Sequence, residues 1–333
     1  MAKLTYRDAV AVALAQEMAR DDRVVLLGED VSSGGVFKTT KGLRDRFGPD
    51  RVWDTPISEE AIVGAAMGAA MAGLRPVAEI MFSDFYATCW DLVANEVAKV
   101  RYMTGGQVSV PLVIRGANGG GLGFGSQHSQ ALENWAMCVP GLKVVSPSGA
   151  ADMAGLLAAA IRDGDPVLVF EHKALYGTSE DVPEGVEHLV PLGSAAVRRD
   201  GSDVTLVALS VTVGMCLAAA DQLAAEGISA EVLDLRTLVP LDARAILESV
   251  ARTGRVVIVE ENPGQLGWGA GVAAILAEEA FHDLRAPVVR VSGGNIPLPV
   301  AKELELEVSA SAERVVTAVR TLLDGVRREA VRA

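Results

Sequence analysis

The sequence predicts an α/β protein of two domains, the first a parallel sheet with helices on both faces, the second a smaller α/β domain. Three observations carry this. Short apolar runs such as Val24-Val25-Leu26-Leu27, Leu112-Val113-Ile114 and Val167 to Glu171 alternate with longer segments of helical period. Buried parallel strands joined by crossover helices leave that pattern. Residues 178–203 break it, being rich in Gly, Pro, Glu and Asp without a clear period, and from Val204 it resumes. The length, 333 residues, suits about two domains of ordinary size. The expected division is residues 1–180, a linker over 181–203, and a second domain over 204–333.

Tyr6 to Arg20 reads as a helix behind Thr5, and the strand Val24 to Leu27 ends in Gly28-Glu29-Asp30. Next comes Asp54-Thr55-Pro56-Ile57-Ser58-Glu59-Glu60, where a proline and a serine announce a helix with carboxylates in its first turn. Everything from Ala61 to Leu74 is small or apolar, so this helix is expected to be buried nearly all round. A glutamate at the mouth of a dry helix is unfavourable unless partnered, which makes Glu59 the first candidate for chemistry. An exposed first-turn glutamate, the bland alternative, fits Glu60 better. Strand Val77 to Met81 precedes a long helix, roughly Phe85 to Met103, ended by Gly105-Gly106. Strand Leu112 to Arg115 enters the glycine-rich run 116–125; strand Leu142 to Val145, helix Ala150 to Asp163 and strand Val167 to Glu171 follow. The second series has strands at Val204 to Leu209, Ala230 to Leu235, Arg255 to Glu260 and Pro287 to Val291. Its helices are Val213 to Glu226, Asp242 to Thr253, Trp268 to Phe281 and a last one from about Ala310.

The net charge of −13 argues against nucleic acid and for small-molecule chemistry or a basic protein partner. The apolar run Ala61 to Leu74 is 14 residues, short of the roughly 18 needed to cross a bilayer. No charged segment followed by an apolar one opens the chain, so no leader and no membrane are expected. Cys89, Cys138 and Cys216 have no CxxC or CxxH spacing and read as small buried hydrophobes in a reducing cytoplasm.

In open parallel sheets, ligands sit beyond the carboxyl ends of the strands. Glu59, Met81 with Phe85, and His128 all fall at such places. Taken alone, a methionine and an aromatic four apart are more often core filling, and a lone histidine near glycines is usually structural.

These residues lie in longer runs that resemble one family. The runs are Asp54-Thr-Pro-Ile-Ser-Glu59, the Gly64/Gly68/Gly73 helix, Arg75 to Phe82, Gln127-His128-Ser129-Gln130, Pro140 to Pro147 and Ile161-Arg162-Asp163. Over essentially its whole length the chain resembles the β subunit of the thiamine-diphosphate-dependent first component of 2-oxo acid dehydrogenase complexes, the pyruvate type above all. The resemblance implies a transketolase-like pyrimidine-binding domain and C-terminal domain. It implies that Glu59 shares a proton with the cofactor's pyrimidine, driving the tautomer that deprotonates the thiazolium. Ile57, Met81 and Phe85 become cofactor contacts, with the Phe85 ring stacked on the pyrimidine. His128 becomes a proton donor or hydrogen-bonder near the substrate and lipoyl end. Branched-chain members carry glutamine and tyrosine in place of Met81 and Phe85, so the pair leans to a pyruvate or acetoin enzyme. Potassium is implied at the backbone of Leu112, Ala160, Ile161, Asp163 and Asp165; an ordinary helix C-terminus before Pro166 is the alternative.

The Gly-Asp-Gly segment with which the family holds magnesium and the diphosphate is absent from the sequence. The resemblance therefore implies half an active site, completed by an α subunit in an α2β2 heterotetramer. A lipoyl acyltransferase core is the further implied partner, for which the acidic stretch Glu303-Leu-Glu305-Leu-Glu307 is a docking candidate. The strip Gly64, Gly68 and Ala72 suits close approach of another helix, inside the domain or from another subunit. Nicotinamide binding fails in detail, because neither Gly119 to Gly125 nor Gly264 to Gly269 meets the G-x-G-x-x-G spacing with a downstream acidic residue. A two-subunit transketolase-like enzyme transferring a two-carbon unit remains the nearest rival, and a purely structural subunit would make Glu59 dispensable.

Overall fold

The computed structural model describes residues 1–332. The chain forms two compact units. One comprises Met1–Leu122 with Gln127–Leu192; the other comprises Gly123–Ser126 with Gly193 onward. In the first unit the strands are β1 (Ala2–Thr5), β2 (Val24–Gly28), β3 (Val52–Asp54), β4 (Arg75–Phe82), β5 (Val113–Asn118), β6 (Lys143–Val145), β7 (Val167–His172) and β8 (Ser179–Val182). Six of these run parallel in the spatial order β6-β7-β5-β4-β2-β3. The helices are α1 (Tyr6–Arg20), α2 (Leu43–Phe47), α3 (Glu59–Met71), α4 (Tyr86–Asp91), α5 (Val100–Met103), α6 (Glu133–Met137) and α7 (Ala150–Arg162).

Helix α1 starts where expected because the Thr5 side chain accepts from the Asp8 amide at 3.1 Å. It packs with α7 on one face of the sheet, where Ala9, Ala13, Leu14 and Met18 share a core with Met153, Leu156, Leu157 and Ile161. Arg162, at the end of α7, forks onto the fully buried Glu17 of α1 at 2.6 and 2.9 Å, supplying the partner a buried carboxylate requires. Gly141 has φ +107°, and an added Cβ there would overlap the Ala98 carbonyl. Gly141→Ala is therefore expected to destabilise the protein by about 2–5 kcal/mol, left-handed strain and overpacking combined, as read from its thermal midpoint.

In the second unit a five-stranded sheet has the spatial order Val289–Gly293, Val256–Pro263, Val204–Ala208, Ala230–Asp234, Ala196–Arg199, the last strand antiparallel. Helices Val211–Ala224 and Ala312–Arg332 cover the core formed by Val204, Leu206, Val232, Val257 and Val259. Asp242 caps the helix Ala243–Thr253 by accepting from the Ala245 amide at 3.0 Å.

Four expectations need correction. The long helix over 85–103 is broken: Cys89 leaves helical geometry, Leu92–Val97 is a π-helix, and only short α segments flank it. Helix α3 is not buried all round: Ala61, Ala65, Gly68 and Ala72 lie exposed along one face, and the Ser58 side chain makes no capping bond. The 178–203 stretch holds two four-residue strands, paired with β1 and with Ala230–Asp234. Strands so short and so exposed leave no apolar period to read. Cys138 is exposed, whereas Cys89 and Cys216 are buried.

Candidate active site

The order of the first unit's sheet reverses beside β2. The chain leaves β2 for the edge strand β3, returns past it to β4, and then moves away through β5. Crossovers diverge there, and a crevice opens at the carboxyl ends of the strands between them. Three loops end at this crevice: the one after β2 with Glu29, the one after β3 with Glu59, and the one after β4 with Ser83–Phe85.

Glu59 is half-buried at the first position of α3, beside an exposed Glu60. The turn before it is pinned to the loop after β2, because Thr55 N donates to Gly28 O at 3.0 Å and Ser32 N donates to Asp54 Oδ1 at 2.8 Å. Pinning brings two acids together. Burial, then the charges of Glu59, Asp30 and Glu79, hold the Glu29 carboxyl above the usual carboxylate range. Sequence reading passed over Glu29. Its one signal was its place after a buried strand, in Gly28-Glu29-Asp30. Burial and the charges of Glu59 and Glu60 likewise push the Cys89 thiol up to about 12, which keeps it protonated and inert.

The second group of side chains is aromatic. The register between β4 and β5 shifts between Ile80 and Phe82, so Met81 is an extra residue in a bulge that re-aims the strand's end. Phe85 follows in the 3-10 turn Ser83–Phe85 and is half-buried. The His128 ring meets Phe82 at 4.8 Å and Phe85 at 5.3 Å between centroids, edge-on in both cases. Phe85 and His128, 43 positions apart in the sequence, thus form one wall. Ile57 is 81 % exposed, on the turn leading to Glu59.

The residues fit the pyrimidine half of thiamine diphosphate. A half-buried carboxylate at a helix start can share a proton with a ring nitrogen, and a half-buried phenylalanine leaves ring surface for stacking. The potassium set does not fit. Arg75 Nη1 donates to Ile161 O at 2.7 Å and to Asp163 O at 2.9 Å, so a guanidinium stands on two of the five carbonyls. Ala160 O accepts from the Asp163 amide at 3.2 Å and Leu112 O from the Val167 amide at 2.9 Å. Lys143 Nζ lies 2.7 Å from both Asp163 carboxylate oxygens, and Arg101 pairs with Asp165. Three cations already serve this corner.

The acidic stretch 303–307 is also not a uniform solvated face. Glu303 and Glu307 are exposed, but Glu305 is buried and accepts from the Gly123 amide at 3.1 Å.

Comparison with known proteins agrees with this architecture. Residues 2–179 match the transketolase pyrimidine-binding domain, and residues 193–315 match the transketolase C-terminal domain. A pyruvate dehydrogenase E1 component subunit beta from Rickettsia felis is 47% identical, the alignment covering 96% of this chain and 98% of the relative. The mitochondrial pyruvate dehydrogenase E1 subunit beta of Dictyostelium discoideum is 45% identical, with 96% and 90% covered. A 2-oxoisovalerate dehydrogenase subunit beta from Bacillus subtilis is 43% identical, with 97% and 100% covered. Among solved structures, one described as a split gene transketolase, inactive beta4 tetramer, superposes with a TM-score of 0.79 at 28% identity, covering 96% of this chain and 99% of that one. With both halves matched and relatives aligned nearly end to end, the chain belongs to the transketolase-like family of β subunits of thiamine-diphosphate-dependent 2-oxo acid dehydrogenase first components.

Proposed function

We propose that this chain supplies the pyrimidine half of the active site of a pyruvate dehydrogenase first component, working with an α subunit in an α2β2 heterotetramer in the cytoplasm. What supports the reading is that Glu29 lies close enough to feel the charge of Glu59, that the Phe85 ring packs on His128, and that the loops carrying Glu29 and Phe85 follow the neighbouring strands β2 and β4. The α subunit would hold magnesium and the diphosphate; among the described residues no group of three or more His, Cys, Asp and Glu side chains is placed to hold a metal ion. Bound here, thiamine diphosphate would supply a nucleophilic carbon and an electron sink for the decarboxylation.

This chain's residues do the rest. Glu59 holds a proton at the pyrimidine ring nitrogen, beside the Glu29 carboxyl that burial and the Glu59 charge hold above its usual range. Phe85 orients the pyrimidine, Met81 and Ile57 flank it, and His128 offers a hydrogen bond where the acyl group passes to a lipoyl carrier. The acyltransferase core that bears that carrier is the second proposed partner. Potassium is left out of this reading, since Arg75 stands on the carbonyls that would bind it. No helix among the described residues is long and apolar enough to cross a membrane.

Phe85→Ala in the assembled enzyme should weaken thiamine diphosphate binding about tenfold, the value of one aromatic stack. An unchanged dissociation constant by titration calorimetry would exclude the stacking role. Coexpression with a neighbouring α-type chain, then decarboxylation assays, tests the substrate. Turnover on pyruvate supports the reading, whereas turnover only on branched oxo acids or acetoin moves the chain to those enzymes. The split transketolase relative favours a second reading, two-carbon transfer to an aldose, which the same preparation tests by ketol transfer.

A further inference from the structure

Asp84 lies in the turn between β4 and Phe85, and it is 7 % exposed. Its Oδ1 accepts two bonds from one residue, the Gln130 backbone amide at 3.1 Å and the Gln130 side-chain amide at 2.9 Å. Its Oδ2 is shielded from solvent and has no hydrogen-bond partner among the described residues. Burying a carboxylate for two bonds to a single neutral residue is an unfavourable way to secure a loop. What it secures is specific. Gln130 stands two residues from His128, and Asp84 stands next to Phe85. The clamp therefore ties together the two segments that carry the ring pair.

Other contacts extend it. Gly119 N donates to Gln130 O at 2.9 Å, and Lys173 Nζ, buried, donates to Gly119 O while lying 5.7 Å from the centre of the Phe82 ring. Ser83 Oγ donates to Asn118 Oδ1 at 2.7 Å, and the Leu132 amide donates to the same oxygen at 3.2 Å. The 128–132 segment is thus held at Gln130 and at Leu132, and Asp84 bonds to it from the turn that also presents Phe85.

We propose that Asp84 is a positioning residue for His128: through Gln130 it sets where the imidazole stands against Phe82 and Phe85. This rests on the role given to His128 above. Gln130, two residues from His128, donates its backbone amide to the Asp84 carboxylate, which fixes the chain there, and a displaced imidazole loses its alignment with the acyl group it serves.

The test uses the coexpressed α2β2 enzyme and reads kcat and KM for lipoyl-dependent turnover together with thiamine diphosphate affinity. His128→Ala measures the histidine's own contribution, on the order of 10²-fold in kcat. Asp84→Ala should lower kcat at least about tenfold with cofactor affinity unchanged, because Phe85 stays in place. Asp84→Asn keeps an acceptor for Gln130 and should recover activity to within about threefold of the parent. The double variant Asp84→Ala/His128→Ala should match His128→Ala within about twofold, since the clamp has nothing left to place. Should Asp84→Ala fail to assemble, Gln130→Ala removes only the side-chain bond and should give a smaller loss, also absent in the His128→Ala background. Multiplicative losses in the double variant, or normal kcat in Asp84→Ala, overturn the proposal while leaving the His128 reading intact. Normal turnover in His128→Ala sinks both.

Discussion

Glu59→Gln is expected to abolish turnover of the assembled enzyme, at least about 10²-fold in kcat, while leaving subunit assembly and thermal midpoint unchanged. The amide has the shape of the carboxyl group but cannot give and take back a proton at a ring nitrogen. Glu59 is half-buried and forms no salt bridge among the described residues, so its replacement leaves no buried charge unpaired there and the fold loses little. A second consequence is electrostatic. The Glu59 charge is one of the causes that raise the Glu29 carboxyl, after burial; with it gone, Glu29 should titrate closer to its ordinary value. Steady-state decarboxylation and analytical sedimentation check the first part, and a pH titration of Glu29 by isotope-labelled NMR checks the second. Activity within threefold of the parent would remove Glu59 from the chemistry and leave a structural subunit.

Arg115→Met should be the most destabilising single change in the first unit. Arg115 is fully buried on β5, opposite Glu79 of β4 in the register, and pairs with both Glu79 and Glu171 of β7. Its Nη2 donates to Glu171 Oε2 at 2.7 Å, and Tyr176 donates to the same oxygen at 2.9 Å. Burial holds the Glu79 carboxyl above the usual range even with Arg115 beside it. Removing the guanidinium strands two buried carboxyl groups, which costs about 3–5 kcal/mol. The thermal midpoint should fall by roughly 10 °C or more. The sign of the pH dependence follows. Without Arg115 the buried Glu79 carboxyl, already held above the usual range by burial, folds best neutral. Its penalty is then absent below the unfolded-state pKa and grows as pH rises through the folded one. The deficit against the parent should therefore narrow on acidification towards pH 5, in about the range of the unperturbed carboxyl. A deficit that stays constant with pH would mean that the loss comes from packing and not from charge.

Part of this was legible in the residues and part was not, and the division has a cause. Alternating apolar strands and helical segments are local, so the α/β class and most elements could be read. The broken helix over 85–103 could not be, because Cys89 leaves helical geometry without a proline or glycine to announce it. Exposure of the α3 face was hidden for another reason: small apolar residues look alike whether they meet their own domain or are left for a partner. The Arg75 contact with two carbonyls of α7 and its turn joins residues about 86 positions apart, beyond any pattern in the chain.

From the chain alone came the strand–helix alternation, the carboxylate at the start of α3 and the lack of a diphosphate-gripping segment, since each depends only on neighbours in sequence. Tertiary structure decided which acids and rings share the crevice. The reversal of strand order beside β2 draws Glu29 towards Glu59, and the turn after β4 meets the segment carrying His128. Non-local packing sets such encounters, and no spacing along the polypeptide encodes them.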